Sequence, residues 1–259
     1  MKRGKCRLCE KETDIHNSHL IARAFYLRLR GKGRGNTDPY IVTSEGARST
    51  SYQYRQHLLC KTCEIRFKDG GEDYVLGISA QPDPFPLLEI ITAANSKYYR
   101  ENSYKACDAI STPSIDRSKI IYFAVSVFWR ASIVNWRMRD GTSSVRIMLG
   151  SRYNEEIRKY LMGEGALPRQ CALEVNVATD LPSRNVIAAP NGKHNDKVAG
   201  FAFQACGIHY DFAVGGRISN SAYNLSILKQ PQQWIVAFSF LEHPPFVLKQ
   251  KEKGLGRVL

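Results

Sequence analysis

The chain has 259 residues, of which 43% are hydrophobic and 24% are charged, and its formal net charge is +13. This composition is typical of a globular protein with a buried core and excludes a disordered or collagen-like chain. The most apolar run, residues 120–129, is about half as long as the ~20 residues of a membrane-spanning helix, so a buried helix and no membrane segment are expected.

The positive charge is concentrated near the beginning of the chain. Residues 1–68 contain 15 Lys and Arg against 6 Asp and Glu, a net charge of +9, whereas the rest contains 22 against 18, a net charge of +4. A concentrated basic surface attracts phosphate backbones, which predicts that this end binds nucleic acid. The alternative is a basic surface that only favours solubility.

The first predicted elements lie in residues 1–78. Residues 19–30 have apolar side chains near helical spacing, which predicts a helix with Ser18 as its N-terminal cap and Gly31 at its end. After Cys63 a short helix is predicted, and it weakens at Gly70 and Gly71.

Between these two helices lies a long polar segment. Residues 31–57 are rich in Gly, Ser and Thr, which favours a basic hairpin-like loop with strand-like pieces at residues 40–43 and 51–54.

The Pro-rich stretch QPDPFP, at residues 81–86, predicts a boundary between a module of residues 1–78 and a second domain of residues 79–259. In the second domain, apolar spacing predicts helices at about residues 86–94, 116–140 and 151–162. Alternating or apolar runs predict strands at residues 173–178, 185–189, 199–205, 208–214 and 234–240. The predicted fold class is α+β, with helices packed on a largely antiparallel sheet.

Four of the seven cysteines are arranged in two CxxC units, Cys6 with Cys9 and Cys60 with Cys63. Two intervening residues allow both sulfurs of a unit to bind one metal ion at about 2.3 Å, and zinc favours a tetrahedron of four thiolates. One structural zinc ion is therefore predicted, since four thiolates leave no open position for catalysis. The start MKRGKCRLCE contains no secretion leader, so a protein of the reducing cytoplasm is expected.

The order of motifs around these cysteines resembles the zinc-containing HNH, or ββα-metal, endonucleases. The chain has TDIHNSHLIA at residues 13–22 and HLLCKTCEIRF at residues 57–67. In that family a histidine follows the first cysteine unit, and a metal ligand directly follows the last cysteine. The resemblance covers about residues 6–74. It implies a treble-clef or ββα-metal module that hydrolyses phosphodiester bonds, most simply in DNA.

Matched residue by residue, the resemblance implies that His19 is the general base and that Glu64 occupies the position of a metal ligand. Ser18 stands where the family usually has a metal-binding Asp, and a hydroxyl is a poor ligand for Mg²⁺ or Mn²⁺. Glu64 would then supply the carboxylate, with Glu72 or Asp73, or the site would be weak or inactive. In the implied reaction, neutral His19 takes a proton from the attacking water.

Basic side chains of the first module are the predicted contacts with nucleic acid, because Lys and Arg bind phosphate oxygens. Such contacts give affinity but little sequence selectivity, and a solvated charged loop is the alternative. The predicted contact residues are Arg23, Arg30, Lys32, Arg34, Arg48, Arg55 and Arg66.

The second domain offers fewer signals. Its segment IYFAVSVFWRAS, residues 121–132, resembles one in uncharacterised bacterial proteins that join a similar zinc and HNH module to a downstream domain and look like parts of antiphage defence systems. Arg130 lies within this apolar helix and needs a buried carboxylate or a bound anion as its partner.

Three functions therefore remain open from the sequence. The first is a metal-dependent endonuclease, the second a non-catalytic zinc module that binds nucleic acid, and the third an adaptor or scaffold whose second domain binds a protein partner. The orientation of Glu64 discriminates between the first two. A carboxylate that faces the space beside His19 favours an enzyme, and one that points to solvent favours a binding module.

Overall fold

The computed structural model describes residues 2–30, 40–43, 46–49, 53–81, 84–94, 97–99, 104–138, 144–194, 198–216, 218–229 and 233–240. Within these residues the chain is α+β, with helices packed on a largely antiparallel sheet, as the sequence predicts.

A small antiparallel sheet of three strands carries the two cysteine units. Its strands are β1 (Lys2–Lys5), β2 (Glu12–His19) and β5 (Arg55–Cys60), in the order β1-β2-β5. Cys60 ends β5, and the chain turns directly into α2 (Lys61–Phe67). The hairpin of β1 and β2 and the helix that follows β5 thus surround the cysteines, as a treble-clef arrangement requires.

The helical segment that begins at α2 continues without a break for three elements. A π-helical turn spans Lys68–Glu72, and α3 spans Asp73–Ile78. The predicted weakening at Gly70 and Gly71 corresponds to this π-helical turn. Such turns often occur at functional sites.

A sheet of nine strands forms most of the remaining structure, in the order β4-β3-β11-β12-β13-β10-β14-β7-β6. Its strands are β3 (Tyr40–Thr43), β4 (Gly46–Ser49), β6 (Lys97–Tyr99), β7 (Tyr104–Asp108), β10 (Cys171–Ala178), β11 (Val186–His194), β12 (Val198–Ala205), β13 (Ile208–Gly215) and β14 (Trp234–Phe238). Neighbours pair antiparallel except for the pairs β3–β11 and β10–β14, which are parallel. The five strands predicted after residue 170 are confirmed.

The remaining described elements are six helices and a two-stranded ribbon. They are α1 (Arg23–Leu29), α4 (Pro86–Ala93), α5 (Arg117–Ile133), α6 (Ser151–Met162), α7 (Leu181–Arg184), α8 (Asn220–Asn224), β8 (Trp136–Arg137) and β9 (Ser144–Val145). Among the described residues, no helix combines the length and the apolar character that crossing a membrane requires.

Helix α5 lies at the centre of the core. On one side, Phe128 stacks on Phe212 of the nine-stranded sheet, with ring centroids 5.2 Å apart. On the other side, Trp129 packs edge-on against Phe67 of α2, at 6.1 Å. Aromatic pairs at these separations add to the stabilisation from burial. The same helix therefore packs against both the nine-stranded sheet and the cysteine-bearing module.

The insertion between the cysteine units also reaches the large sheet, because β3 pairs with β11 in register from Tyr40 with Val186. One buried apolar cluster contains residues from both predicted domains. The boundary between residues 78 and 79 stays a prediction about which segments fold independently.

Three predicted elements differ from the structure. The helix predicted over residues 19–30 begins only at Arg23, because β2 continues through His19 in its ladder with β5. Ser18 is therefore a strand residue and not a helix cap. The helix predicted over residues 116–140 ends at Ile133. Of the strand predicted at residues 51–54, residues 51–52 lie outside the described residues, and residues 53–54 precede β5.

Candidate active site and cysteine cluster

Four cysteine side chains converge where the small sheet meets α2, and we call Cys6, Cys9, Cys60 and Cys63 the cysteine cluster. Their sulfur atoms all lie within 4.8 Å of one another, and Cys9 Sγ is 3.8 Å from Cys60 Sγ. Metal–sulfur bonds of about 2.3 Å in a tetrahedron place the sulfurs about 3.8 Å apart. The cluster thus has the geometry of a site for a tetrahedral metal ion such as zinc.

Electrostatics at the cluster favour the thiolate form of one ligand. The Cys63 thiol donates to Cys6, and backbone amides add to this effect, so the pKa of Cys6 falls to about 4 despite its burial. One of these amides, the N–H of Cys60, lies 3.3 Å from Cys6 Sγ. The thiolate is the form of cysteine that binds metal.

The side chain of Ser18 is hydrogen-bonded within the small sheet. The Leu59 N–H donates to Ser18 Oγ at 3.2 Å, and the hydroxyl approaches the His16 carbonyl oxygen at 3.4 Å. Its side chain lies at an irregularity in the pairing of β2 with β5, between His16 and Asn17, and the residue is buried. The hydroxyl therefore stabilises the strand ladder, so a metal-binding carboxylate has to come from another residue.

His19 is the last residue of β2, directly opposite Arg55 of β5. Its ring atom Nε2 is buried and has no hydrogen-bond partner in the described part of the chain. Burial, together with the positive charges of Arg55, Arg130 and Arg23, lowers the pKa of His19 from 6.5 to about 4. The imidazole is therefore neutral at pH 7, which is the form that accepts a proton.

Glu64 directly follows Cys63 of the cysteine cluster in the first turn of α2. Its Oε1 is buried and, among the residues the structure describes, has no hydrogen-bond partner. This oxygen does not point to solvent. A buried carboxylate oxygen without a donor is costly unless another group binds it, and a cation is such a group.

Glu72 ends the π-helical turn and pairs with a buried arginine. Its Oε1 is 2.8 Å from Nη2 of Arg130, and the two side chains are 12% and 2% exposed. Burial raises the pKa of Glu72, Arg130 opposes this shift, and the nearby charge of Glu64 adds to it. Glu72 thus lies near Glu64, with one of its oxygens bound by Arg130.

Arg130 also contacts the histidine, because its Nη1 donates to the His19 carbonyl oxygen at 3.0 Å. We call His19, Glu64, Glu72 and Arg130 the histidine site. Arg130 thus joins His19 to Glu72, whereas Glu64 is related to this set only through the effect of its charge on Glu72. Among the described residues, the cysteine cluster is the group of three or more potential metal ligands whose ligand atoms lie within 4.8 Å of one another. The ligand atoms of His19, Glu64 and Glu72 are therefore farther apart than those of the cysteines.

Gln53 is a site residue that the sequence analysis missed. It is buried beside His19, and its amide opposes the fall in the pKa of the imidazole. Its Oε1 nevertheless makes no hydrogen bond of good geometry within the described residues. Gln53 is brought there by the chain that leads into β5, which pairs with β2. The sequence does not indicate this position, because a Gln in a polar segment belongs to no periodic pattern.

Four of the seven predicted nucleic-acid contacts have described side chains, and these four fall into three groups. Arg23 and Arg55 have exposed side chains, and their charges act on His19. Arg66 is exposed but lies against the end of α6, with Nη1 3.3 Å from the Met162 carbonyl oxygen. Arg30 is half-buried directly after α1.

The side chains of the remaining three predicted contacts lie outside the described part of the structure. Lys32 and Arg34 lie outside the described residues, and for Arg48 the structure describes the backbone in β4 alone. Arg23 and Arg55 are thus the predicted contacts that the structure brings next to the candidate base.

Comparison with known proteins adds no relative to these observations, because no family model, no curated protein and no solved structure matches the chain. The candidate site therefore rests on the motif residues and on their arrangement in the fold.

Proposed function

We propose that this protein is a metal-dependent HNH-type endonuclease that hydrolyses phosphodiester bonds in DNA. The observation that supports it is the pair of buried polar atoms without partners, His19 Nε2 and Glu64 Oε1. Both belong to residues whose roles the motif resemblance implies independently. Buried polar atoms without partners call for an explanation, and use by a ligand or a reaction is one. Other such atoms occur among the described residues, so the support comes from the coincidence of these two with the motif positions.

The cysteine cluster is proposed to hold one structural zinc ion. Four thiolates fill a tetrahedral zinc site and leave no position for water or substrate. A zinc ion held by these four cysteines would tie the β1–β2 hairpin to the start of α2, and the cysteines would thereby help to position the backbone on which His19 and Glu64 lie. Its contribution to the reaction is the positioning of these two residues.

A second cation, Mg²⁺ or Mn²⁺, is proposed to be held by Glu64, and when bound it offsets charge on the scissile phosphate. Glu64 suits it because hard divalent cations favour carboxylate oxygens. Arg23 and Arg55 supply positive charge beside His19, which favours binding of the phosphate group there. Glu72 has one oxygen bound to Arg130, so it is the weaker candidate ligand of the two carboxylates.

His19 is proposed to take the proton from the attacking water. Its imidazole is neutral at pH 7 because burial and three arginines lower its pKa. A pKa of about 4 makes a weak base in the free protein. A bound phosphate adds negative charge beside the ring and raises this pKa toward the range in which general bases work well.

The main alternative is a module that binds nucleic acid without cleaving it. Ser18 favours this alternative, because its hydroxyl is used by the strand ladder where the family has a metal-binding carboxylate. The antiphage role implied by the resemblance, and an adaptor role with a protein partner, stay predictions.

Cleavage of supercoiled plasmid in Mg²⁺, Mn²⁺ or EDTA tests the proposal. His19→Ala is expected to reduce the rate by about 10²–10⁴-fold, which is the usual contribution of a general base. Glu64→Gln is expected to reduce the rate too, with partial recovery in excess Mn²⁺, because Glu64 holds the cation. His57→Ala, an exposed histidine in β5, is the matched control and should retain activity.

The outcomes separate the two functions. Cleavage that needs His19 and a divalent cation supports the endonuclease. Salt-sensitive binding without cleavage, in any metal and on either DNA or RNA, favours the non-catalytic module. Cleavage that persists in His19→Ala would show that another residue is the base.

A further inference from the structure

The guanidinium of Arg130 is buried and every one of its nitrogen atoms is hydrogen-bonded. Nη1 donates to the His19 carbonyl oxygen at 3.0 Å, and Nη2 lies 2.8 Å from Glu72 Oε1. Nε and Nη2 also reach Ser126, one turn earlier in α5, at 3.3 and 3.2 Å. The planar group lies 5.0 Å from the Phe67 ring of α2. These contacts fix the orientation of the guanidinium, whose two terminal nitrogens form a fork.

The two contacts at the tip of the fork join separate segments of the candidate active site. His19 is the last residue of β2. Glu72 is the last residue of the π-helical turn and lies about two turns of helix after Glu64. Arg130 lies 58 residues after Glu72 and 111 after His19 in the chain. A single side chain from α5 therefore sets the spacing between the strand of the candidate base and the helix of the candidate cation ligand.

The glycine pair Gly70–Gly71 allows this contact by bringing the π-helical turn against α5. A Cβ atom built on Gly71 would lie 2.5 Å from the Lys119 carbonyl oxygen and 2.8 Å from the Phe123 nitrogen, both backbone atoms of α5. Gly77 belongs to the same helical segment, in α3, and a Cβ atom there would have no heavy atom within 4 Å. The close approach is therefore local to the turn that ends at Glu72.

We propose that Arg130 is a positioning residue of the active site, so that α5 of the C-terminal segment completes the nuclease. This inference rests on the proposed function. Arg130 does not touch the substrate; it holds the His19 backbone and the Glu72 carboxylate at a fixed separation. Arginine suits this role and lysine does not, because a planar guanidinium can donate in two fixed directions at once, whereas an ammonium is a compact point charge.

The first test is Arg130→Lys, which keeps the positive charge near Glu72 and His19 but loses the fork. We expect kcat for plasmid cleavage to fall at least tenfold while KM and the zinc content stay unchanged, because the site is misaligned and the DNA-binding surface is intact. Arg152→Lys, at a side chain that is 71% exposed, is the control and should leave kcat unchanged.

The second test changes no charge and no polar group, and it remains informative if Arg130→Lys fails to fold. Gly71→Ala forces the π-helical turn away from α5 and should lower kcat with KM and zinc retained. Gly77→Ala, in open space on the same helical segment, should leave kcat unchanged. A folded Arg130→Lys or Gly71→Ala protein with wild-type kcat would overturn the positioning role.

A measurement without turnover separates this inference from the proposed function. In protein with ¹⁵N-labelled histidine, the ring signals of His19, assigned with His19→Ala, should move in Arg130→Lys and Gly71→Ala but not in Gly77→Ala. If the wild-type protein cleaves nothing, the proposed function fails. Unmoved His19 signals in the two test variants would then overturn the coupling between α5 and His19 as well.

Discussion

The cysteine cluster and the histidine site lie on the same short elements, yet they differ in how their polar groups are satisfied. Cys63 and Glu64 are neighbours in α2, and Cys60 and Arg55 belong to one strand. In the cysteine cluster the sulfur atoms lie close to one another, and Cys6 Sγ accepts a hydrogen bond from a backbone amide. The histidine site keeps two buried atoms, His19 Nε2 and Glu64 Oε1, without partners among the described residues.

Under the proposed function, this difference separates a cluster that would stabilise the fold from a site that would carry out the reaction. A buried polar atom without a partner costs about 1–3 kcal/mol. The described residues contain others, such as Gln204 Oε1 and Tyr210 Oη in the large sheet, so the two atoms of the histidine site are notable because they fall on motif residues. Local conflicts of this kind are expected at functional sites. The predictions below test each side of the comparison, beginning with the largest expected effect.

Loss of the proposed zinc ion should have the largest effect. Structural zinc contributes about 10–16 kcal/mol to the folding of small zinc modules, so chelation or Cys60→Ser should unfold the β1–β2 hairpin and release α2 from it. Cys107→Ser, a buried cysteine outside the cluster, should keep its metal. Metal analysis with circular dichroism measures both, and an ordered Cys6–Cys9 or Cys60–Cys63 disulfide without metal would contradict the prediction.

The ion pair of Arg130 and Glu72 should have the next largest effect. Removing one partner of a buried pair leaves an uncompensated charge and typically costs about 3–5 kcal/mol. Arg130→Met should therefore lower the free energy of unfolding by this amount, measured in urea. The double variant Arg130→Met with Glu72→Gln should lose less than the sum of the two single variants, since it leaves no buried charge behind. Additive losses would mean that the two side chains do not interact.

The sequence predicts the cysteine cluster better than it predicts the geometry of the histidine site. The CxxC spacing fixes four ligands by local chemistry, and their convergence in the structure follows directly. The position of His19 depends on a strand that continues through Ser18. The helical spacing of apolar residues such as Ile21 and Phe25 predicts a helix there instead. Tertiary pairing with β5 overrides that local preference.

The contacts of Arg130 also could not be predicted in full. The sequence indicates that a charged residue in an apolar helix needs a buried partner, and Glu72 is that partner. The second contact, with the His19 carbonyl oxygen, depends on how α5 packs against the π-helical turn. Gly70 and Gly71 permit this approach, but in the sequence two glycines indicate only a weak point in a helix. Long-range packing of this kind leaves no periodic signal.

The pH dependence of the free energy of unfolding should show the effect of the buried His19 imidazole. The pKa of His19 is lowered from 6.5 to about 4, mainly by burial. Between these values the unfolded state binds more protons than the folded state, so stability should fall as the pH drops from about 6.5 to 4. His19→Ala should remove this part of the pH dependence in urea unfolding and leave the part that comes from protonation of the cysteine cluster.

The same shift predicts two different pH profiles for cleavage. The profile of kcat/KM reports groups of the free enzyme and that of kcat reports the complex with substrate. The inflection of kcat/KM should lie near pH 4, where free His19 gains a proton, and that of kcat should lie higher, because a bound phosphate raises the pKa of the imidazole. Coincident inflections would mean that no negative charge approaches His19 in the complex.

The smallest expected effect concerns the exposed arginines beside His19. Each phosphate contact on duplex DNA contributes about 0.9 to the slope of log K against log salt concentration. Arg23→Ala and Arg55→Ala should each reduce the slope by about this amount, because both side chains are exposed and their charges act on His19. Arg152→Ala should leave the slope unchanged, since Arg152 already pairs with Glu156 at 2.7 Å in α6. Equal reductions in all three variants would indicate attraction to net charge alone, and the surface beside His19 would then have no special role in binding.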